Sequence, residues 1–448
     1  SGIGGLSCAS VLASTGRKVL VLEAHEHAGG CAHEYAVDGF HFECGPSLYA
    51  GLSPARSPNP LKHVFQIIGE EPEWVTYDRW GTAFPEGTFA AAVGSEDFMG
   101  RILPTYGGPG ATEQWARLMA RVEPLGAAIF GVPSAAVRED LFAPLLMSRY
   151  AGSMAKLLIE GPAPALSKPF SHVLDECGVT DPFIRNWLDM LSFLLQGATT
   201  EEAPTTLMAY MLSDFYRPNV CLDFPKGGTK GIVDALVRGV VKAGGEVRLN
   251  SPVKDVLVDS EDGKQRKRAV GVVLAGTDEQ VLAKEAVVSN ADLWATRRLV
   301  GHTGHDRLLS YLDEQCARVT QCDSFLHLHL GIDAAGLPTA PSEHFPAQWA
   351  ALDDWDRGVD APRNLVLVSV ASMLDPELAP EGCHVVHAYV PATEPMAEWE
   401  AFAARREDGG EGGGSEGGGS EGGSEGRYQS AAYRAAKAEA VEVLWRAV

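Results

Sequence analysis

The stretch SGIGGLSCASVLASTGRKVLVLE, residues 1–23, decides the fold class. It predicts a glycine turn, a helix from Leu6 to Thr15 and an apolar strand from Val19 to Leu22 that ends at Glu23. One further Gly before Ser1 would complete the string G-x-G-x-x-G, the phosphate-binding turn of a dinucleotide-binding unit. We therefore expect a Rossmann-type α/β unit whose first strand precedes Ser1, so that the sequence begins inside this turn.

Each residue of this motif has a physical role. Gly2 lets the backbone approach a pyrophosphate, and Gly5 lets the helix pack closely on the sheet. The N-terminus of the helix carries partial positive charge that attracts phosphate. A carboxylate at Glu23 can accept hydrogen bonds from a ribose diol. The predicted cofactor-binding residues of this segment are Ser1, Gly2, Gly4, Gly5, Glu23 and Ala24.

Composition excludes some functions. The chain has 448 residues, a formal net charge of -22 and a pI of about 5.0, which argues against nucleic-acid binding. Its 8 cysteines contain no CxxC pair, so we expect reduced thiols rather than a disulfide framework. The longest apolar stretch begins at Leu141, but Arg149 and Lys156 interrupt it, and it does not predict a membrane span.

The segment after Glu23 narrows the class of protein. A glycine pair, Gly29 and Gly30, precedes the string GFHFECGPS at residues 39–47. The chain thereby resembles the phytoene desaturase and carotenoid isomerase family of the amine-oxidase-like flavoproteins, in which G-F-x-F-D-x-G-P-S follows the cofactor loop; here Glu43 replaces the Asp. The resemblance implies FAD as cofactor. It adds these cofactor-binding residues: Gly29, Gly30, Gly45, Pro46 and Ser47.

A second block, FPKGGTKGIVDALVRGVVKAGGEVRLNSPVKDV, matches the second half of the family's flavin site. It predicts a helix from Ile232 to Ala243 and strands at 246–249 and 253–256. The strand pattern is expected to continue through 269–274 and 285–292, where the chain returns to the dinucleotide domain. The resemblance implies that Val253 packs near the adenine, and Asn290 and Ala291 complete the predicted cofactor site.

The predicted fold class is α/β: an amine-oxidase-like, two-dinucleotide-binding FAD domain of Rossmann type with a mixed α+β substrate domain. The predicted divisions are 1–53 and 225–300 for the FAD domain, 54–224 and 301–406 for the substrate domain, 407–426 for a disordered acidic Gly/Ser linker, and 427–448 for a truncated final helix. The family's closing glycine-rich block does not follow that helix, so we expect the chain to lack both ends of the family domain.

The region from residue 344 to 400 is the most discriminating. It resembles the plant and cyanobacterial carotenoid isomerases, which carry an acidic-aromatic string, then a D-P/S-x-L-A-P-x-G-x-H-x-x-H string, then a Trp. The corresponding residues here are 353–355, 375–387 and Trp399. The resemblance implies an enzyme that converts poly-cis carotenoids to trans forms with reduced FAD and no net redox change. It also implies a hydrophobic polyene substrate and a chloroplast location with membrane association, and it leaves the redox donor open.

Alternative functions share this architecture. A desaturase or saturase of a polyene would differ only in net hydride transfer. A Rab GDP-dissociation-inhibitor type of protein would bind prenylated partners without flavin, and an amine oxidase would need an aromatic cage. The residues assign no catalytic group. For residues 141–159 the sequence allows either a buried helix or a monotopic membrane contact.

Histidines raise the question of a metal. His327 and His329 alternate on one face of a predicted strand, and His384 and His387 follow later. Two histidines at this spacing can ligate a metal, but the sequence places no third or fourth ligand. We therefore expect no metal and predict packed or substrate-facing histidines.

Overall fold

The computed structural model of the protein describes residues 1–44, 48–130, 148, 150–160, 167–260, 267–320, 323–404 and 431–448. The helices are α1 (Ile3–Ser14), α2 (Pro60–Ile68), α3 (Ser95–Asp97), α4 (Leu103–Tyr106), α5 (Ala111–Phe130), α6 (Ala151–Glu160), α7 (Ser171–Glu176), α8 (Pro182–Gln196), α9 (Thr205–Phe215), α10 (Thr229–Lys242), α11 (Leu293–Leu299), α12 (Asp306–Arg318), α13 (Met396–Ala404) and α14 (Ala431–Ala447).

The strands are β1 (Leu20–Leu22), β2 (Glu34–Val37), β3 (Phe40–Glu43), β4 (Tyr49–Ala50), β5 (Trp74–Tyr77), β6 (Arg79–Phe84), β7 (Gly87–Ala92), β8 (Leu222–Pro225), β9 (Glu246–Arg248), β10 (Val253–Ser260), β11 (Lys267–Leu274), β12 (Gln280–Leu282), β13 (Ser324–Asp333), β14 (Gln348–Leu352), β15 (Leu365–Ser369) and β16 (Cys383–Ala392). The chain divides into two compact units. The first comprises 1–77, 221–322 and 374–381, and the second comprises 78–220, 323–373 and 382–448.

The first unit contains the predicted turn, helix and strand. β1 pairs in parallel with β9, and α1 packs beside α10. The core between them is apolar because each helix turns one face inward; its buried side chains include Leu6, Phe65, Ile232 and Leu236. The predicted helices and strands at 6–15, 19–22 and 232–243 are therefore confirmed, with ends that shift by one to three residues.

One predicted strand of the first unit is wrong. Residues 285–292 form no strand ladder with any described residue, and they run as irregular chain into α11. The apolar string VV of this segment suggested burial, but the side chain of Val288 is exposed. No strand among the described residues pairs with residues 285–292, and a buried parallel strand needs such a neighbour.

The second unit is built on a six-stranded sheet in the order β13-β16-β15-β14-β6-β7. All neighbours are antiparallel except β14 and β6, which pair in parallel. The predicted strand in QCDSFLHLHLGID is confirmed as β13, which pairs with β16 along its full length. This register brings together side chains that lie about sixty residues apart in sequence, such as His329 and His387.

Helices α5, α8 and α9 contribute an aromatic core to the second unit. Trp115 and Trp187 are fully buried, and the indole N–H of Trp187 donates to the hydroxyl of Tyr216 at 2.7 Å. Helices α5 and α9 approach so closely at Gly126 that a Cβ atom there would overlap Ser213 Oγ. Among the described residues, no helix is both long and apolar enough to cross a membrane. The stretch 141–159, apart from residues 148 and 150–159, lies outside the described residues.

Candidate nucleotide-binding site

The glycine turn lies at the N-terminus of α1. Gly2 is the N-cap residue, and its carbonyl accepts the first helical hydrogen bond from Leu6 N–H at 2.9 Å. The amide N–H groups of the first turn, including those of Gly4 and Gly5, have no partner inside a helix by its geometry. This end of α1 therefore offers several donors and a favourable dipole to an anion.

The glycine pair of the cofactor loop lies directly against this turn. Gly29 forms a parallel bridge with Gly2, and Gly29 N–H donates to the Ser1 carbonyl at 3.1 Å. Gly29 and Gly30 both have positive φ, at 120° and 62°. A Cβ atom on Gly30 would lie only 3.1 Å from Gly2 Cα. Glycine is thus required here both by the backbone conformation and by the close approach of two chain segments.

Glu23 follows β1 directly, as predicted. Its carboxylate accepts the Ser1 hydroxyl at 2.7 Å and the His25 backbone N–H at 2.9 Å. Burial raises the pKa of Glu23, whereas the hydrogen bonds from the His25 N–H and the Ser1 hydroxyl lower it. The group is therefore an anionic acceptor at neutral pH. Ala24 lies exposed in the bend that follows.

The two later segments also return to this region. The side chain of Asn290 lies against the glycine turn, because a Cβ atom on Gly4 would be 2.8 Å from Asn290 Oδ1. Val253 begins β10 and packs against the same apolar cluster as Leu22 at the end of β1. Ala291 is exposed and accepts a hydrogen bond from Thr296 at 3.3 Å. The structure therefore brings Asn290 to the turn, whereas Gly45, Pro46 and Ser47 lie outside the described residues.

A buried carboxyl beside this site was not predicted to have a role. Glu43, at the end of β3, is 3% exposed, and its Oε1 accepts the backbone N–H and the hydroxyl of Thr229 at 2.6 and 2.8 Å. No donor in the described part of the chain reaches its Oε2. Burial raises the pKa of Glu43 to about 7; the Thr229 bonds oppose the shift, and the Glu34 and Asp375 carboxylates support it.

Glu43 and Asp375 together fix the start of α10. Asp375 Oδ2 accepts the N–H of Gly227 at 2.7 Å, two residues before the helix begins at Thr229. Both carboxyls thus supply acceptors for donors at the helix N-terminus that have no helical partner. Both carboxyls lie in strings that resemble the family, and this was the available sequence signal. The contact itself was not predictable, because Glu43 and Thr229 are 186 residues apart.

Comparison with known proteins also places a nucleotide-binding domain at the start of the chain. Residues 1–67 match a family model described as an NAD(P)-binding Rossmann-like domain. The chain is 27% identical over 427 residues to the chloroplastic prolycopene isomerase of Daucus carota, covering 90% of this chain and 62% of that protein. It is 26% identical to all-trans-retinol 13,14-reductase of Danio rerio, over 74% of this chain and 53% of that protein.

Solved structures confirm the fold class. An oxidoreductase from Methanosarcina mazei superimposes with a TM-score of 0.62 at 18% identity, covering 89% of this chain and 80% of that one. The predicted α/β architecture with a Rossmann-type domain is therefore correct. The chain spans somewhat less than two thirds of the length of the plant isomerases it matches, 62% for the carrot protein.

Proposed function

Because this chain is a relative of the carotenoid isomerase and phytoene desaturase family, we propose that it belongs to an FAD-dependent enzyme that converts poly-cis carotenoids to all-trans forms, of the prolycopene to all-trans-lycopene type. The observation that carries the proposal is the match to carrot prolycopene isomerase over 90% of the chain. The reaction has no net redox change and uses FAD in its reduced form.

The residues of the first unit fit FAD. The contact between Gly30 and Gly2 leaves no room for a Cβ atom beside the turn, and the first turn of α1 presents free donors to a diphosphate. Glu23 would accept hydrogen bonds from the adenosine ribose, and Val253 would pack near the adenine. Asn290 and Ala291 would lie beside the turn, with Ser1, Gly2, Gly4, Gly5, Ala24, Gly29 and Gly30 completing the set; Gly45, Pro46 and Ser47 belong to it by resemblance.

The protein's own contribution is orientation. When bound, reduced FAD would lend electron density to the conjugated polyene and take it back after rotation, so that the order of the cis double bond falls only transiently. The ionised Glu23 would hold the ribose end of the cofactor, while the carboxyls of Glu43 and Asp375 fix the start of α10. No catalytic side chain is assigned.

The decisive experiment distinguishes isomerisation from hydride transfer. The protein is incubated without oxygen, with FAD reduced by dithionite, with a poly-cis carotene in liposomes. Product of unchanged mass and a red-shifted, all-trans absorption spectrum supports the proposal. A mass change of two hydrogens would contradict the proposal and indicate a desaturase or saturase. The observation that supports this second candidate is the similarity to a retinol 13,14-reductase at 26% identity. A protein that binds no flavin would contradict both.

Location follows from the same relatives. We propose a chloroplast location, because the plant isomerases are named as chloroplastic. From the apolar and lightly basic sequence alone, we also propose that residues 141–159 contact a membrane peripherally. Flotation of the protein with liposomes of plastid lipid composition tests the contact, with a chain from which residues 141–159 are deleted as its comparison. Equal flotation of the two chains would contradict a role for this segment.

A further inference from the structure

Three histidines lie on one face of the sheet of the second unit. In the antiparallel register of β13 and β16, His329 stands opposite His387, and His327 stands opposite Tyr389. Side chains two residues apart in a strand point to the same face, so His327 and His329 share the face of His387. The register thereby supplies the third imidazole that sequence spacing alone did not place.

The three rings are close enough to share one ion. One ligand atom from each of the three lies within 4.8 Å of the others, and His327 Nδ1 is 2.8 Å from His387 Nε2. The ring centroids of His329 and His387 are 4.4 Å apart. Two imidazole nitrogens on one tetrahedral Zn²⁺ would lie about 3.3 Å apart. The observed separations, from 2.8 Å to at most 4.8 Å, bracket that spacing, so the three side chains must reorient by rotation on fixed strands to converge on one ion.

An imidazole binds a metal ion through the lone pair of an unprotonated ring nitrogen. His387 is buried, whereas His327 is exposed, so an ion has a path from solvent to the site.

The fourth histidine of the sequence pattern is not part of the cluster. His384 is buried, and its two ring nitrogens bond to Ser372 Oγ at 2.8 Å and to the Pro338 carbonyl at 3.0 Å. Among the described residues the candidate group contains no carboxylate. Three imidazoles without an oxygen ligand select first-row transition metals over Mg²⁺ or Ca²⁺.

We propose that His327, His329 and His387 form a binding site for one divalent transition-metal ion of the Zn²⁺ class, with three imidazole ligands and one position open to water. The metal-site proposal does not depend on FAD binding, because all three histidines belong to the second unit. It also reverses our expectation from sequence that no metal is bound.

The test uses Co²⁺ as a probe in the whole protein after chelator treatment. We expect Co²⁺ to give a visible d–d spectrum at one equivalent per chain, which Zn²⁺ abolishes. The spectrum should contain no thiolate-to-Co²⁺ charge-transfer band, because such a band would show that cysteines of the chain bind the Co²⁺. His327→Gln should weaken binding by more than ~100-fold, since even loss of an outer-sphere partner costs 10–100-fold.

Two further variants make the result unambiguous. His329→Ala should lose the band as His327→Gln does, and exposed His344→Ala, outside the cluster, should retain it. Because His327 is exposed, its variant should fold normally, which circular dichroism checks. Absence of the band in wild type, or an unchanged band in His327→Gln and His329→Ala, would overturn the proposal and leave a hydrogen-bonded histidine stack.

Discussion

Replacement of Glu43 by Gln is expected to stabilise the protein increasingly as the pH rises. Gln keeps the acceptor oxygen that receives both hydrogen bonds from Thr229. It replaces Oε2, which no described donor reaches, by an uncharged amide NH₂, so that no negative charge remains to be repelled by the Glu34 and Asp375 carboxylates. The variant therefore removes a buried charge and keeps the contact that fixes the start of α10.

The magnitude follows from the pKa of Glu43, which burial raises from 4.5 to about 7. A carboxyl with a raised folded-state pKa destabilises the fold as the pH rises above the unfolded value, and the penalty is complete above the folded value. The penalty is roughly 1 kcal/mol at pH 5.5 and roughly 3 kcal/mol at pH 8, at about 1.36 kcal/mol per pKa unit. The advantage of Gln should thus grow by about 2 kcal/mol between these pH values.

The assay is urea unfolding of both proteins at pH 5.5 and pH 8, followed by circular dichroism. The lower pH stays above the pI of about 5.0, where a net charge near zero would promote association. Exposed Glu202→Gln is the matched control and should show no pH-dependent gain. A difference between Glu43→Gln and wild type that is the same at both pH values would refute the reasoning, because Glu43 would then titrate normally.

Three further predictions, which use four substitutions, test other contacts. Glu23→Gln should weaken FAD binding by about tenfold or more, since a hydrogen bond to a charged group contributes roughly 1.5–3 kcal/mol. A flavin fluorescence titration measures the Kd, and an unchanged Kd would exclude a role of Glu23 in binding the ribose. Gly126→Ala should lower the free energy of unfolding by about 1–3 kcal/mol through overpacking against Ser213, whereas Gly152→Ala, which meets no atom within 4 Å, should raise it by up to ~1 kcal/mol. Tyr216→Phe should cost about 1–3 kcal/mol in urea unfolding, because the buried indole N–H of Trp187 loses its acceptor; equal stability would show that another group accepts it.

Sequence predicted the local parts of the first unit well. The glycine turn, α1, β1 and Glu23 follow one another within 23 residues, and their pattern is set by backbone sterics and by burial of a parallel strand. The same reasoning failed at 285–292, because an apolar string indicates a strand only where a neighbouring strand pairs with it. Asn290 was predicted only as a cofactor-binding residue, and its contact with Gly4 was not, because that contact depends on tertiary packing.

Contacts between distant segments were beyond sequence reasoning. The spacing of His327 and His329 predicted a shared face, but the position of His387 depends on the register between β13 and β16. Register is fixed by the tertiary arrangement of strands rather than by either strand alone. The bond between Glu43 and Thr229 and the parallel pairing of β14 with β6 were missed for the same reason.

The parallel pairing of β14 with β6 has a consequence for biosynthesis. Ala351 pairs with Ala83, and each unit is assembled from three separate stretches of chain. Neither unit is complete until residues beyond 374 have left the ribosome, so the usual order in which an N-terminal domain folds first cannot apply. Pairings of such high contact order also form slowly and leave strand edges exposed meanwhile. Unpaired strand edges and apolar surface therefore stay exposed during much of synthesis, which favours aggregation of the incomplete chain.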